Sequence, residues 1–190
     1  KILMPVGISF YTLQAIGYLA DVYWGKIRAE EKLENTALFL AFFPQIMEGP
    51  ICRYSDTAGT LYSGKPLEID NLTDGYIRIF WGLFKKKVIA DRLATGVDMP
   101  SSYSGAMTVF AAVAYTVQLY MEFSGCMDII IGSGQLFGVK LPENFRQPFA
   151  AQSAAEFWRR WHITLGTWFK TYIFYPVSMS GPVKKWNQYP

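Results

Sequence analysis

The chain has 190 residues, of which 51% are hydrophobic, 17% aromatic and 17% charged. An average soluble domain carries about 25% charged residues. The shortage of charge, with 14 Phe, 12 Tyr and 6 Trp, points to lipid contact or an unusually aromatic core, and it excludes disorder, collagen and a long uniform coiled coil. The net charge of +3 is mild. Its basic residues cluster beside apolar stretches, at Lys26/Arg28/Lys32, Lys85-Lys86-Lys87/Arg92 and Arg159-Arg160. That pattern suits the cytoplasmic edges of a membrane better than the dense basic face of a nucleic-acid binder.

Residues 2–24 are nearly free of charge, with only Asp21 near the end. As a helix they would reach about 30–35 Å, enough to cross a bilayer, with Pro5, Gly7 and Gly17 as points of kinking or close packing. The charged stretch 26–34 predicts a membrane-edge loop or amphipathic turn on the cytoplasmic side. Residues 36–52 are apolar but interrupted by Pro44, Glu48, Gly49 and Pro50. Such a piece is too short to cross and is expected to re-enter or lie buried, lining protein or a cavity.

Residues 55–70, with Gly59, Gly64 and Pro66, read as loop, and Asn71–Asp74 as a helix start. Residues 75–94 place Ile77, Phe80, Trp81, Phe84, Val88 and Leu93 on a helical stripe. The Lys85–Lys87 run is expected where this amphipathic helix leaves lipid or lies on its surface. A soluble amphipathic helix is the bland alternative.

Residues 105–121 carry no charge and form the second spanning candidate, running on into EFSGCMDIIIGSGQLFGV. Thr116, Tyr120, Ser124 and Asp128 fall four apart and share a polar face. An acid at that depth is expected to look into the bundle or a cavity; a packing stripe with one satisfied acid accounts for it equally well. Gly132, Gly134 and Gly138 do not make a dinucleotide loop, since the spacing is wrong and no strand precedes them. Gly134 and Gly138 instead suit close helix packing. Residues 140–149 form a loop, and Ser153 with Glu156 makes a capping box. One helix is expected from there to Pro176, which ends or bends it.

The two cysteines, Cys52 and Cys126, suggest neither a disulfide nor a zinc site and are expected to pack. His162 is the single histidine, so these residues cannot build a multi-histidine metal site. On one helix, Trp158, His162 and Gly166 would share a face. His162 is then either a general base poised by partial burial or a structural histidine donating to a carbonyl. Arg159 and Arg160 suit a phosphate or carboxylate, or serve as edge anchors.

The segments PVGISFYTLQAIGYLADVY (5–23), FFPQIMEGPI (42–51), YMEFSGCMDIIIG (120–132) and LPENFRQPF…EFWRRWHITLGTWFKTYIFYPV (141–177) together resemble the membrane-bound O-acyltransferase family. The likeness is to its bacterial branch that O-acetylates alginate or D-alanylates teichoic acids. It implies an all-α, polytopic membrane bundle with re-entrant and amphipathic helices, multi-pass in the cytoplasmic (inner) membrane. Residues 1–190 would be an internal fragment, the incomplete central part of one such domain and inactive alone.

The resemblance further implies transfer of an acyl group, acetyl above all, to hydroxyls of a cell-envelope polysaccharide. The co-substrate would be an acyl thioester, acetyl-CoA or an acyl carrier protein, presented from the cytoplasm. No tightly bound cofactor, metal or nucleic acid is expected, and a periplasmic or extracellular acetyl-transfer protein would be the partner. By motif, His162 matches the first of two family histidines and is the catalytic candidate of this chain, as base, orienter or substrate contact, although the resemblance most often assigns the base to the second. Asp128, Asn144, Arg146, Arg159 and Trp161 match substrate-binding or funnel-lining positions. The second family histidine is expected some tens of residues after the WHIT motif and does not occur in this sequence. D-alanyl transfer is the close alternative. A channel or transporter built on Asp128 and the broken 36–52 segment is the alternative of another class, and a soluble helical domain with an aromatic core is the blandest.

Overall fold

A computed structural model describes residues 7–63, 68–97 and 105–180. Pro5 and the start of the first apolar segment, Gly64 and Pro66 of the expected loop, and the stretch 181–190 lie outside the described residues. Those described are all-α apart from one antiparallel bridge between Phe145 and Trp161. The chain divides into two compact units, Ser63–Leu141 and the remainder, Lys1–Tyr62 with Pro142–Pro190.

The remainder holds α1 (Ile8–Tyr23), α2 (Leu33–Ala41) and α3 (Tyr54–Leu61). Gly7 starts α1 in a left-handed conformation, φ 78°. Asp21, the one charge of the first apolar segment, is buried. It accepts a hydrogen bond from the Tyr172 hydroxyl at 2.6 Å and lies 3.5 Å from Lys26. The Trp168 indole donates to the Leu13 carbonyl at 2.9 Å, so two aromatic side chains from the C-terminal part pin α1 by polar bonds. The 54–61 stretch is helix α3, where loop was expected. Gly59 costs a helix only about 1 kcal/mol. Phe39 packs its ring against Tyr54, and Thr57 and Ala58 bury the inner face of α3, contacts that local propensity does not report.

The other unit holds α4 (Ile69–Leu83), a π-helical segment Phe84–Ala90, α5 (Asp91–Val97) and α6 (Ala106–Leu136). With 31 residues, α6 is about 46 Å long. It is the one helix among the described residues that is long and apolar enough to cross a membrane. Helices α4 and α6 meet at glycines. A Cβ on Gly82 would stand 2.6 Å from the Gly125 carbonyl oxygen, and one on Gly132 would stand 2.7 Å from that of Gly75. The two pairs are seven residues apart on each helix, so the helices run antiparallel. The expected Gly134/Gly138 helix-packing pair is not found, and the close helix contacts fall to Gly75, Gly82, Gly125 and Gly132 instead. Gly134 lies against Leu141, but Gly138 (φ 69°) has open space around it and ends α6 as a left-handed cap.

The apolar stripe of α4 and the π-helical segment after it faces outward. Phe80 is 67% exposed, and Ile77, Trp81 and, in the π-helical segment, Val88 are exposed too. Its polar side faces α6 instead. Lys85 Nζ sits 2.6 Å from Asp128 and Arg78 sits 3.1 Å from it, while Lys86 pairs with Glu122. Lys85 and Lys86 thus turn into the helix pair rather than to its edge, and only Lys87 of the three is exposed. On α6 the outward residues include Phe110, 68% exposed, and Val109. Polar groups inside and aromatics outside is the arrangement lipid rewards and water penalises.

Candidate active site

The C-terminal part begins as expected. Ser153 caps α7 (Ala154–Arg160), its hydroxyl accepting from the Glu156 amide at 3.1 Å. The Glu156 carboxylate accepts from the Gln152 amide at 2.9 Å. That amide first, and Arg160 second, hold the Glu156 carboxyl below its ordinary pKa. The single helix expected from Ser153 to Pro176 is then broken. Trp161 is extended, His162 is left-handed (φ 46°, ψ 53°), and α8 (Ile163–Phe169) starts anew. Trp158, His162 and Gly166 therefore do not share a helical face. A π-helical segment, Lys170–Phe174, and α9 (Tyr175–Ser178) follow. Pro176 sits in the first turn of α9, where its missing N–H is tolerated, so it does not end the run.

The break has a tertiary cause. The loop 142–147 runs antiparallel to the end of α7. The Arg146 amide donates to the Arg160 carbonyl at 3.0 Å, and the Ile163 amide donates to the Asn144 carbonyl at 3.0 Å. These bonds occupy the Arg160 carbonyl and the Ile163 amide, which a continuous helix would have bonded to residues four positions on and four positions back. A left-handed backbone at a non-glycine residue costs about 1–3 kcal/mol and persists only where surrounding contacts enforce it.

His162 is half-buried, and burial pushes its imidazole pKa below the ordinary value. Its Nδ1 lies 3.1 Å from Oδ1 of Asn144, which is 0% exposed. The same oxygen accepts from the Thr164 amide at 3.1 Å and the Thr164 hydroxyl at 3.0 Å. The Thr164 hydroxyl oxygen in turn accepts from the Ile51 amide at 3.1 Å. This ties the EGPI segment to the WHIT segment.

Beside this network lies a cavity of about 250 Å³, whose wall includes Ile51, Arg53, Asp56, Arg146, Thr164 and Trp168. Arg53 and Asp56 pair across 3.0 Å. The broken 36–52 segment thus does line a cavity, through Ile51.

The sequence-predicted residues sort as follows. Asn144 and His162 are in direct contact. Arg146 is exposed and lines the cavity. The Trp161 ring stacks on Phe157 (5.5 Å) and meets Phe145 edge-on (5.0 Å), so it is built into an aromatic cluster. Arg159 is exposed and borders a second cavity, about 320 Å³, with Trp158 and Lys170. Arg160 pairs with Glu156 at 2.5 Å. Asp128 belongs to the other unit, bound to Arg78 and Lys85. Sequence reasoning missed Thr164, Ile51 and Arg53. Thr164 stood inside the WHIT motif but was read as one more position of a continuous helix. Cys52 is buried, its thiol donating to Gln45 at 3.2 Å, and burial pushes its pKa up to about 12; it packs, as expected. Among the described residues no cluster of His, Cys, Asp and Glu could hold a metal ion.

A helix long and apolar enough to cross a bilayer and an outward aromatic surface are features of a membrane protein. Residues 32–189 match the membrane-bound O-acyltransferase family, and the chain belongs to it. It is 42% identical over 183 residues to the probable alginate O-acetylase AlgI of Pseudomonas aeruginosa, covering 95% of this chain and 35% of that protein. It is 36% identical to the peptidoglycan O-acetyltransferase of Helicobacter pylori, covering 93% and 39%. To the teichoic acid D-alanyltransferase of Bacillus subtilis it is 28% identical, covering 95% and 47%. The chain thus spans between a third and a half of the length of these curated relatives.

Proposed function

We propose that the protein containing this chain is a membrane O-acyltransferase that moves an acyl group, acetyl in the first place, from a thioester donor to hydroxyls of a cell-envelope polysaccharide such as alginate. The observation that carries the reading is His162, held by Asn144 at a helix break, the network reaching the wall of a neighbouring cavity through Thr164, in a chain of this family. In the reaction the acceptor oxygen attacks the thioester carbonyl carbon and the C–S bond breaks. His162 takes the hydroxyl proton and returns it to the departing thiolate. A histidine kept neutral by burial suits that task.

The donor is acetyl-CoA or an acyl carrier protein, with no tightly bound cofactor. The Lys26/Arg28/Lys32 cluster supports a multi-pass inner-membrane protein with that end of α1 on the cytoplasmic side. Arg146, on the cavity wall, and exposed Arg159 are the groups offered to an anionic substrate. A periplasmic or extracellular acetyl-transfer protein is the proposed partner, and 1–190 the central part of one catalytic domain. The 42% identity to alginate O-acetylase, against 28% to the D-alanyltransferase, favours acetyl over D-alanyl. The transport alternative relied on Asp128 as a polar path. Its carboxylate is taken up by Arg78 and Lys85.

The test releases base-labile acyl groups from the envelope polymers of wild-type, deletion and His162→Ala strains and identifies them by mass spectrometry. Loss of acetate in both mutants is expected. Loss of D-alanine would move the protein to the teichoic-acid branch. No change in the deletion strain, with redundant enzymes removed, would end the envelope-acylation reading.

A further inference from the structure

We propose that Thr164, itself anchored by the Ile51 amide, acts through Asn144 as a positioning residue that fixes His162 in its Nδ1–H tautomer and so puts the imidazole lone pair on Nε2. The inference deepens the reading of His162 as the base and rests on it for its kinetic consequence, though not for the tautomer itself.

The argument begins with the identity of one atom. An asparagine side chain offers oxygen or nitrogen, and the two are told apart by their partners. The Thr164 backbone N–H, 3.1 Å from the Asn144 side-chain terminus, can only donate. The atom it faces is therefore the acceptor, Oδ1. The ring nitrogen of His162 that faces the same atom at 3.1 Å must then carry a hydrogen. In the neutral imidazole only one nitrogen does, so the lone pair belongs to Nε2. The opposite tautomer would set two acceptors against each other beside a fully buried amide, an arrangement that buried sites penalise.

The Thr164 hydroxyl has its own direction imposed. Its oxygen accepts from the Ile51 amide at 3.1 Å, which leaves the hydroxyl proton for Asn144 Oδ1 at 3.0 Å. A one-way chain results, from the Ile51 N–H to the Thr164 O–H to Asn144 Oδ1, with His162 Nδ1–H donating to the same oxygen. The Asn144 backbone is held as well, since its carbonyl accepts from the Ile163 amide at 3.0 Å. Asn144 is thus a positioning residue rather than a substrate contact. Thr164 stands beyond it, two residues from the ring it orients and on the wall of the neighbouring cavity.

The test uses the full-length protein in lipid nanodiscs, labelled with 15N-histidine, the His162 signals being assigned by difference from His162→Gln. In wild type and Thr164→Ser the Nδ1 signal is expected in the protonated range and Nε2 in the unprotonated range. Thr164→Val, which loses the hydroxyl but keeps the backbone N–H that faces Oδ1, is expected to keep the Nδ1–H tautomer with the ring less firmly held, whereas Asn144→Leu, which removes the acceptor, is expected to show both tautomers. Thr164→Val should lower kcat by about 10- to 100-fold with KM within about twofold of wild type. Thr164→Ser should restore kcat. An Nε2–H tautomer in wild type, a single Nδ1–H tautomer in Asn144→Leu, or a Thr164→Val protein with unchanged kcat would overturn the proposal. Should Thr164→Val not fold, Thr164→Ser and wild type still report the tautomer. Full activity in His162→Gln would remove the base reading alone, with the nitrogen signals still deciding the positioning.

Discussion

Gly82 on α4 and Gly125 on α6 face each other backbone to backbone: a Cβ on either would come within 2.8 Å of the other's carbonyl oxygen. The lattice of side chains around them can relax, but two carbonyls in helical ladders cannot move without breaking those ladders.

Gly82→Leu in the full-length protein is therefore expected to destabilise it by about 1–3 kcal/mol or more, the usual cost of overpacking. Gly59→Ala is the control. Gly59 lies within α3 with nothing near its Cβ position, so alanine there should be neutral or stabilising by up to about 1 kcal/mol. Thermal unfolding in detergent, followed by size-exclusion fluorescence, measures both. Equal stability of Gly82→Leu and wild type would contradict the close approach.

Asp128 stands between two cations, Arg78 and Lys85, with 14% of its side chain exposed. Asp128→Asn removes the carboxylate that the two cations share. Removing one partner of a buried pair costs about 3–5 kcal/mol. Stability and activity should fall together, and Asp128→Asn with Lys85→Met should recover part of the stability. If Asp128→Asn kept full stability and lost only activity, Asp128 would be a substrate contact and not a structural one.

The His162 imidazole is lowered by burial, so the folded state releases its proton more readily than the unfolded chain, whose value is about 6.5. Above that value both states are neutral at this residue and the contribution does not vary. As pH falls from there through the lower folded value, the unfolded state binds the proton first and stability is lost. The base form persists over the same window. The acid limb of kcat/KM in the reconstituted full-length enzyme is thus expected below about 6.5. An acid limb above that would show His162 stabilised as a cation and rule out this account.

Local chemistry was legible where it acts alone. The charge-free run that became the first half of α6 needs no partner to be helical, and the Ser153 hydroxyl caps the Glu156 amide locally. The single histidine stood out by its chemistry, whereas Asn144 and Arg146 were legible only through the motif resemblance. The faces these elements present were another matter. The α4 stripe was read correctly as a stripe, but whether it looks in or out depends on Asp128 and Glu122, carried by another helix 36 to 50 residues away.

The helix break at His162 was invisible for the same reason. FWRRWHITLGTWF has the spacing of one continuous helix, and nothing within it favours a left-handed residue. The decision comes from backbone bonds to 144–146 and from the Ile51 amide, 113 residues from Thr164 in sequence. Composition and periodicity determined that this chain would be helical and membrane-bound, because burial of apolar surface and satisfaction of backbone groups are set residue by residue. How the His162 ring is held was decided by tertiary structure alone, because a broken helix and the bond to Asn144 are settled by hydrogen bonds between segments that only the fold brings together.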